Sequence, residues 1–347
     1  MIKNGYSLAP YCEILDLNGH LHVGFGSVGV IYSDTKDIDF IFSLLSHVEL
    51  PTREISEAFW DKTFSPHETA IVEKLKANNL ITPTKNVPSY NRNHRDQLYY
   101  LMQGIKPQQV AAQLSEKTVC VIGCGGIGCI VSLVLATQGI GRLILMDDDK
   151  VEIHNVSRQF AYTEQDVGEY KVPLLEAELR KRSHHVEISS LVERATFDPE
   201  SSNIPEADFY VLAADQRGII PIANRYFVSK NKPYLHTCYI NDIAVWGPLV
   251  NVPETGCWGC KTNTGSDTLD GDKERTQLLK KLNSTYTCPI ISPVSLMATS
   301  FAALDIIKFL TNAAPPISIN RRVGVWTGTM QVEYQDFSKN PNCTVCG

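Results

Sequence analysis

The chain has 347 residues, 43% of them hydrophobic, and a formal net charge of −6. This length predicts one large domain with a smaller one, and the hydrophobic content is enough for a sizeable core. The acidic balance and the lack of a basic block argue against bulk nucleic-acid binding, so no nucleic-acid partner is expected.

The sequence also bears on the compartment. No charged-then-apolar leader opens the chain, and the longest apolar stretch, residues 294–310, contains Asp305 and Lys308. Such a stretch is typical of a buried amphipathic helix rather than a membrane span. Ten cysteines without a leader are typical of a reducing compartment, where paired cysteines hold metal more often than they form disulfides. We therefore expect a cytoplasmic protein with no membrane partner.

Residues 1–85 differ in pattern from the rest and predict a small α+β domain. Short strands are expected over 11–16, 20–25 and 28–32, followed by helices over 38–48 and 66–78. Ser65 is suited to cap the second helix, because proline follows at its first position. The end of that helix resembles the exit from a winged-helix recognition helix.

Three interpretations of residues 1–85 compete. A DNA-binding winged helix is disfavoured, because its recognition helix would carry few basic residues. A plain structural cap is a second possibility. The favoured one is a peptide-clamp or leader-recognition domain, in which a peptide pairs along an exposed strand edge. A polar linker, residues 86–100, then leads into a helix.

The centre of the sequence is a strand, a glycine loop and a helix. Residues 117–122 are apolar and β-branched, and Gly123, Gly125 and Gly128 then form G-x-G-x-x-G at the start of a helix. The first glycine permits a tight turn, the second lets phosphate approach the backbone, and the third lets the helix pack closely. Helix N–H groups and the helix dipole favour an anion at this point. A second strand, residues 142–147, ends on Asp147. This carboxylate follows the glycines by about 20 residues, which is the usual position of a residue that binds ribose.

The glycine pattern alone is typical of NAD or FAD binding, and a glycine-rich turn without a nucleotide has the same pattern. The following residues favour ATP instead. Asn155, Arg158 and Gln159 come soon after the acidic strand end, and Lys171 starts the next helix. A dehydrogenase needs no extra cations over its pyrophosphate. An enzyme that breaks the α–β bond of ATP needs them, because charge develops on the phosphates in the transition state.

The run D-x-D-x-V-x-x-x-N-x-x-R-Q from Asp147 to Gln159, followed by Lys171, resembles the ThiF/MoeB adenylating family, which includes the ubiquitin-activating enzymes. The resemblance covers about residues 92–347. It implies a homodimer in which the second arginine of an R-x-x-R motif, here Arg95, reaches the partner's ATP site. From the residues alone, an arginine in a linker is usually only solvated.

Asp215 follows an apolar strand, residues 207–214, and ligands of parallel sheets bind at the carboxyl ends of strands. The resemblance implies that this carboxylate binds Mg²⁺, a hard cation that prefers oxygen. A helix N-cap is the alternative role for Asp215.

The segment from Tyr239 to Pro248, Y-I-N-D-I-A-V-W-G-P, resembles a subgroup of the family that modifies small peptides. The enzymes of microcin C and pantocin A biosynthesis typify that subgroup.

Two C-x-x-C pairs, Cys257 with Cys260 and Cys343 with Cys346, predict a tetrahedral site for structural Zn²⁺. Four cysteines leave no open position for catalysis, and a dithiol redox pair is the alternative. Cys288 lies where some relatives have a thioester or persulfide cysteine, but the local pattern departs from theirs. The other cysteines are expected to be small buried residues: Cys12, Cys120, Cys124, Cys129 and Cys238.

The expected architecture is a doubly wound, mostly parallel Rossmann-like α/β sheet with a zinc knuckle and the winged-helix-like N-terminal domain. The adenylation domain would span residues 101–347, with a crossover loop over 262–287. The residues expected to hold ATP are Gly123, Gly125, Gly126, Gly128, Asp147, Asp149, Asn155, Arg158, Gln159 and Lys171. Those expected to assist the chemistry are Arg95, Arg158, Lys171 and Asp215.

The expected function is ATP-dependent modification of a ribosomally synthesised precursor peptide in antibiotic biosynthesis. A peptide carboxyl group of Glu or Asp/Asn type would be adenylated with release of pyrophosphate, and then cyclised or nucleotidylated. The alternative is adenylation of the C-terminal glycine of a ubiquitin-like sulfur carrier. A nucleotide-sensing scaffold without catalysis is disfavoured, because the chain has all the cationic side chains expected for the adenylation reaction.

Overall fold

The computed structural model describes residues 5–216, 218–261 and 273–347. The chain divides into two compact units, Met1–Ala111 and Ala112–Gly347. Residues 262–272 of the expected crossover loop lie outside the described residues. The domain limits and roles expected from the sequence stay predictions.

The first unit contains short strands and helices. Its strands are β1 (Tyr6–Leu8), β2 (Ile14–Leu17), β3 (His20–Val23), β4 (Val30–Tyr32), β5 (Val48–Glu49), β6 (Glu54–Ile55) and β7 (Ile81–Pro83). Its helices are α1 (Thr35–Leu45), α2 (Glu57–Trp60), α3 (Pro66–Ala77), α4 (His94–Met102) and α5 (Pro107–Ser115), the last of which crosses the division between the units.

Two small antiparallel sheets organise the first unit. One is the meander β2–β3–β4, and the other has the order β5–β6–β1–β7. The β2–β3 hairpin turns at Asn18 and Gly19, whose φ values of 54° and 80° match a tight hairpin turn. Ser65 caps α3 in a capping box with Glu68, and Pro66 is its first residue, as the sequence predicts.

The second unit is built on one eight-stranded sheet. Its strands are β8 (Thr118–Ile122), β9 (Arg142–Met146), β10 (Glu187–Leu191), β11 (Phe209–Leu212), β12 (Tyr234–Ile240), β13 (Ile243–Val250), β14 (Arg321–Trp326) and β15 (Gln331–Asp336). Its other helices are α6 (Gly128–Gln138), α7 (Lys171–Arg182), α8 (Ile219–Ser229), α9 (Lys273–Asn283) and α10 (Ser292–Thr311).

The strand order, β10–β9–β8–β11–β12–β13–β14–β15, places a switch point between β8 and β11. The five strands from β10 to β12 pair in parallel, and the last three pair antiparallel. The chain therefore leaves β8 in one direction for β9 and β10 and returns on its other side at β11. In such a sheet a crevice opens at the carboxyl ends of the two central strands. The mixed α/β fold with a mostly parallel sheet is confirmed.

Helix α10 is long and apolar enough, by length and composition, to cross a membrane. In this structure 61% of the 18-residue apolar stretch of the helix is buried inside the protein, where the helix packs on α6, β12 and β13. Buried Asp305 accepts hydrogen bonds from the Trp246 indole and from the backbone N–H of Ser318, so this carboxylate is satisfied. The helix has the position of a core helix, as the sequence predicts.

Candidate active site

The glycine loop lies at the switch point, directly after β8. Gly123 has a φ of +90°, and a Cβ there would stand 2.7 Å from the backbone nitrogen of Ala214 at the end of β11. A Cβ on Gly128 would stand 1.8 Å from the carbonyl oxygen of Gly123. Both positions require glycine because the backbone itself fills the space.

The two middle glycines have different surroundings. Among the described residues, a Cβ on Gly125 would meet only the Gln159 amide nitrogen, at 3.7 Å, and one on Gly126 would meet the Arg158 carbonyl oxygen at 3.5 Å. Both are ordinary contacts. The backbone of this part of the loop is therefore uncrowded, and its closest neighbours are the residues expected to bind phosphate.

Asp147 fastens the glycine loop to the end of β9. One of its carboxylate oxygens accepts from the backbone N–H of Cys124 at 2.6 Å, and the other accepts from that of Asp149 at 2.8 Å. Burial nevertheless raises the pKa of the Asp147 carboxyl above its ordinary value. Each oxygen keeps a second lone pair, so a ribose hydroxyl could still donate to it.

Lys171 begins α7 and is 5% exposed. Its ammonium is 2.9 Å from the carboxylate of Asp149, which is exposed. The structure thus brings together two of the expected site residues at the edge of the crevice. Among the described residues the buried ammonium forms one ion pair, with a carboxylate that faces solvent, and the carboxylate of Asp147 lies near enough for the Lys171 charge to offset part of the burial-driven rise in the pKa of that group.

The residues after β9 lie over the glycine loop. Asn155 and Gln159 are each 4% exposed, and the side-chain oxygen of Asn155 accepts from the backbone N–H of Glu152. The Gln159 side-chain oxygen is buried and has no hydrogen-bond partner among the described residues. A buried polar atom without a partner calls for a ligand or water.

Arg158 is oriented by two contacts. Its guanidinium donates to the carbonyl oxygen of His154 at 2.6 Å and lies near the hydroxyl of Tyr239 on β12. Burial raises the pKa of Tyr239, and the nearby carboxylate of Asp215 adds to the shift. Asp215 itself is exposed, just beyond β11. Arg158, Asp215 and Tyr239 therefore meet at the carboxyl ends of β11 and β12.

Tyr239 is the first residue of the segment that resembles the peptide-modifying subgroup, and no local pattern predicts its position beside Arg158. Near it, half-buried Cys288 lies 3.7 Å from the side-chain oxygen of Asn241, which also accepts from Tyr286 at 2.5 Å. Arg95 is the second residue of α4, in the first unit, and its side chain is exposed.

The four paired cysteines converge into one cluster. Their sulfur atoms all lie within 4.8 Å of one another, with Cys257 to Cys343 at 3.8 Å and Cys260 to Cys346 at 3.4 Å. Zinc–sulfur bonds of about 2.3 Å in a tetrahedron place sulfurs about 3.8 Å apart, whereas a disulfide needs about 2 Å. The geometry and the donor set fit a four-thiolate metal site.

Buried Asn224 on α8 supports this cluster. Its amide nitrogen donates to the sulfur of Cys257 at 3.6 Å, and its oxygen accepts from the Tyr234 hydroxyl and the backbone N–H of Trp258. Partners of this kind orient metal ligands.

Asp147, Asp148 and Asp149 form a second group of possible metal ligands, but their carboxylates already have partners within the protein. Besides the contacts of Asp147 and Asp149, Asp148 pairs with Arg194 at 3.1 Å.

The fold and the glycine loop define a nucleotide-binding α/β protein. Residues 99–345 match the model of the ThiF family, and the chain belongs to that family. It is an adenylating enzyme that uses ATP, as the family match and several curated relatives named adenylyltransferases support. One of them, the sulfur carrier protein ThiS adenylyltransferase of Escherichia coli (strain K12), is 25% identical over 236 residues, which cover 68% of this chain and 88% of that protein.

Solved structures resemble the chain over its full length. Crystal structures of E. coli MccB superpose with a TM-score of 0.88 at 31% identity and cover 99% of this chain and 100% of MccB. PaaA superposes with a TM-score of 0.67 at 19% identity, over 95% of this chain and 99% of PaaA, which is a likeness of fold alone.

Proposed function

We propose that the chain adenylates a Glu, Asp or Asn carboxyl-type group of a short, ribosomally made peptide, which is then cyclised or nucleotidylated. The extent of the likeness to MccB carries this proposal. The family match begins at residue 99, whereas MccB matches 99% of the chain and so includes the first unit. MccB, the microcin C7 biosynthetic enzyme, has been crystallised with ATP and with N-formylated MccA.

In the proposed reaction an oxygen of the peptide carboxyl group attacks the α-phosphorus of ATP. The bond from that phosphorus to the bridging oxygen breaks, and pyrophosphate leaves with the bonding electrons. Arg158 and Lys171 neutralise the charge that develops on the phosphates. Asn155 and Gln159 orient them, and the unpartnered oxygen of Gln159 supports such a role. Asp147 holds the ribose.

Asp215 is proposed to bind Mg²⁺, which would draw charge from the leaving pyrophosphate when bound. An exposed carboxylate at the carboxyl end of a central strand suits that ion. We also propose that the active form is a homodimer, in which Arg95 of one copy serves the ATP site of the other. The exposure of Arg95 supports this.

The first unit is proposed to hold the peptide. Strand β4 ends its sheet, and its outer edge has no strand partner among the described residues. The same unit contains a pocket of about 450 Å³ whose lining includes Phe40, Phe59 and Phe64 beside polar and charged side chains. A peptide could pair along β4 and place a side chain in such a pocket. Binding of a labelled peptide tests this: Ile31→Asp on β4 should weaken it, and Leu17→Asp on β2 should not.

The cysteine cluster is proposed to hold one structural Zn²⁺. The match between the sulfur spacing and a tetrahedral site supports zinc over a redox dithiol.

The decisive experiment is an intact-mass measurement on the peptide encoded beside the gene, incubated with the enzyme and Mg-ATP. A peptide heavier by a nucleotide means nucleotidylation, and one lighter by water, with free AMP, means activation followed by cyclisation. An unchanged peptide, with pyrophosphate exchange only after a ubiquitin-like protein is added, would replace this proposal with the sulfur-carrier activity of the curated relatives. Asp215→Ala should abolish the reaction and Asp198→Ala, at an exposed loop, should not.

A further inference from the structure

The sulfur atoms of the cysteine cluster accept hydrogen bonds from backbone N–H groups. Those of Cys257 and Asn340 donate to the sulfur of Cys260 at 3.3 and 3.5 Å. That of Val345 donates to the sulfur of Cys343 at 3.5 Å. These contacts follow from the path of the backbone around the two C-x-x-C pairs, so a side-chain substitution elsewhere leaves them in place.

Asn224 on α8 differs from these donors because it donates from its side chain. Its Nδ2 lies 3.6 Å from the sulfur of Cys257. Outside the four cysteines, no other side chain in the described part of the chain donates to a sulfur of the cluster. The contact is therefore one that a substitution can remove while the backbone around the cluster stays unchanged.

The Asn224 amide is held in a single orientation. Its oxygen accepts from the Tyr234 hydroxyl at 2.8 Å and from the backbone N–H of Trp258 at 3.0 Å. A backbone N–H can only donate, so the amide atom that faces Trp258 is the oxygen, and the nitrogen must face Cys257. Asn224 and Tyr234 are both buried, so bulk water does not compete for these hydrogen bonds.

The charge of a metal-loaded cluster makes this hydrogen bond important. A divalent cation balances two of four thiolates, which leaves two negative charges on a site where Cys257, Cys260 and Cys343 are buried. Buried charge is costly unless hydrogen bonds meet it. An amide N–H draws electron density from the sulfur, and the thiolate is then less easily protonated or exchanged for another ligand.

We propose that Asn224 is a positioning residue of the metal site, which stabilises the metal-bound thiolate of Cys257 and thereby slows the release of the metal. The inference rests on the proposed zinc site. Helix α8, which carries Asn224, also packs on the turn Trp258–Cys260, so the contact joins this helix to the first C-x-x-C pair. Loss of such a contact typically costs about 10- to 100-fold in metal affinity.

The test replaces the donor and keeps the shape of the side chain. Asn224→Asp retains an oxygen for Tyr234 and Trp258 but places a carboxylate oxygen where the N–H meets Cys257. Zinc release from the full-length enzyme into an excess of the coloured chelator pyridylazo resorcinol should be about tenfold faster or more. In cobalt-substituted enzyme, the sulfur-to-metal charge-transfer band should move to lower energy, because the sulfur has lost a hydrogen-bond donor.

Tyr234→Phe is the matched control. It removes a hydrogen bond to the same Asn224 side chain but leaves the N–H on Cys257 and the Trp258 contact in place. This variant should melt at a lower temperature, since a buried hydrogen bond is lost, and should keep the wild-type cobalt spectrum and zinc release rate. If Asn224 had a role in packing alone, the two variants would behave alike.

A further measurement uses the wild-type chain, so it stands even if Asn224→Asp fails to fold. Enzyme loaded with an NMR-active cadmium isotope should show a scalar coupling between the metal and a side-chain amide proton of Asn224, transmitted through the hydrogen bond to sulfur. The backbone N–H of Val345, at a similar distance from its sulfur, is the positive control. Coupling to Val345 without coupling to Asn224 would overturn the inference.

Equal zinc release and identical cobalt spectra in the wild type and in folded Asn224→Asp would also overturn it, as would equal effects of Asn224→Asp and Tyr234→Phe. Zinc content after denaturation reports separately whether the cluster holds metal, and a wild-type chain without zinc would end the zinc proposal and this inference together. None of these outcomes affects the intact-mass experiment, which tests adenylation.

Discussion

Asp147 has a structural role in addition to the one that its position in the sequence suggests. Both of its oxygens accept backbone N–H groups, one from the glycine loop and one from the turn after β9. The Tyr162 hydroxyl braces the same loop by donating to the carbonyl oxygen of Cys124 at 2.7 Å. Loss of either side chain would therefore disturb the loop even before a nucleotide binds.

Lys171 offers a direct test at the scale of one residue. Lys171→Met removes a buried ammonium whose only ion-pair partner in the described structure, Asp149, can turn to water, so the fold should survive. Adenylation should fall by about 100-fold, because a cation next to the transferring phosphate is lost. Pyrophosphate exchange measures the loss.

Lys150 supplies the matched control. Its ammonium lies 4.8 Å from the centre of the Tyr170 ring, and the residue is exposed. Lys150→Met should keep nearly full activity. Equal activity in the two variants would contradict a phosphate-binding role for Lys171.

At the scale of elements, local patterns predicted much of what the structure contains. Short local sequence patterns predict three features: the strand–loop–helix unit around Gly123, the capped helix after Ser65 and the two C-x-x-C pairs. Asp147, Arg158 and Gln159 do lie beside the glycine loop, and Lys171 pairs with Asp149. The role of Arg95 toward a partner copy stays a prediction. Exact element limits were less predictable, since they depend on tertiary packing.

Contacts between distant strands could not be read from the sequence. Arg322 and Cys238 are 84 residues apart, and the link from Tyr239 to Arg158 depends on strand order rather than on any local pattern. Neither pair has a residue spacing that predicts it. Cys238, expected to be a small buried residue, is only half-buried and contacts the guanidinium of Arg322.

The glycine loop allows a graded test at this scale. Gly128→Ala should cost about 3 kcal/mol or more of folding stability, because a Cβ at 1.8 Å from a carbonyl forces the backbone to move. Gly125→Ala should fold normally, since its nearest contact is 3.7 Å, but weaken ATP binding about tenfold by occupying the phosphate approach.

Thermal melts and ATP titrations separate the two effects. Gly328→Ala is the control, because a Cβ at that position would have no neighbour within 4 Å in the part of the chain that the structure describes. If Gly125→Ala proved as unstable as Gly128→Ala, the distinction between packing and phosphate-binding glycines would be wrong.

The cysteine cluster bridges two segments of one unit, and metal removal tests it. Chelation should release one Zn²⁺ per chain and lower the melting temperature by about 5 °C or more, because the metal binds only the folded arrangement. Cys346→Ser should mimic chelation, whereas Cys288→Ser, outside the cluster, should not. A chain that contains no metal and melts unchanged in chelator would rule out the site.

On the scale of the whole molecule, the proposed exchange of Arg95 between copies is testable by complementation. Arg95→Ala and Asp215→Ala homodimers should both be inactive. In a mixed dimer, one of the two composite sites regains both residues, so up to about half of the activity of a wild-type dimer should return. No recovery in mixtures that form heterodimers would count against donation of Arg95 to the partner.

The crowding around Gly123 and Gly128 has a consequence for evolution. These glycines are imposed by the backbone and would persist in a descendant that had lost its chemistry, whereas no contact among the described residues compels glycine at position 125. A pseudoenzyme derived from this fold should therefore keep the outer glycines and drift first at the middle ones. In genome surveys, the residue types at positions 125 and 126 should therefore distinguish catalytically active family members from inactive ones better than the outer glycines do.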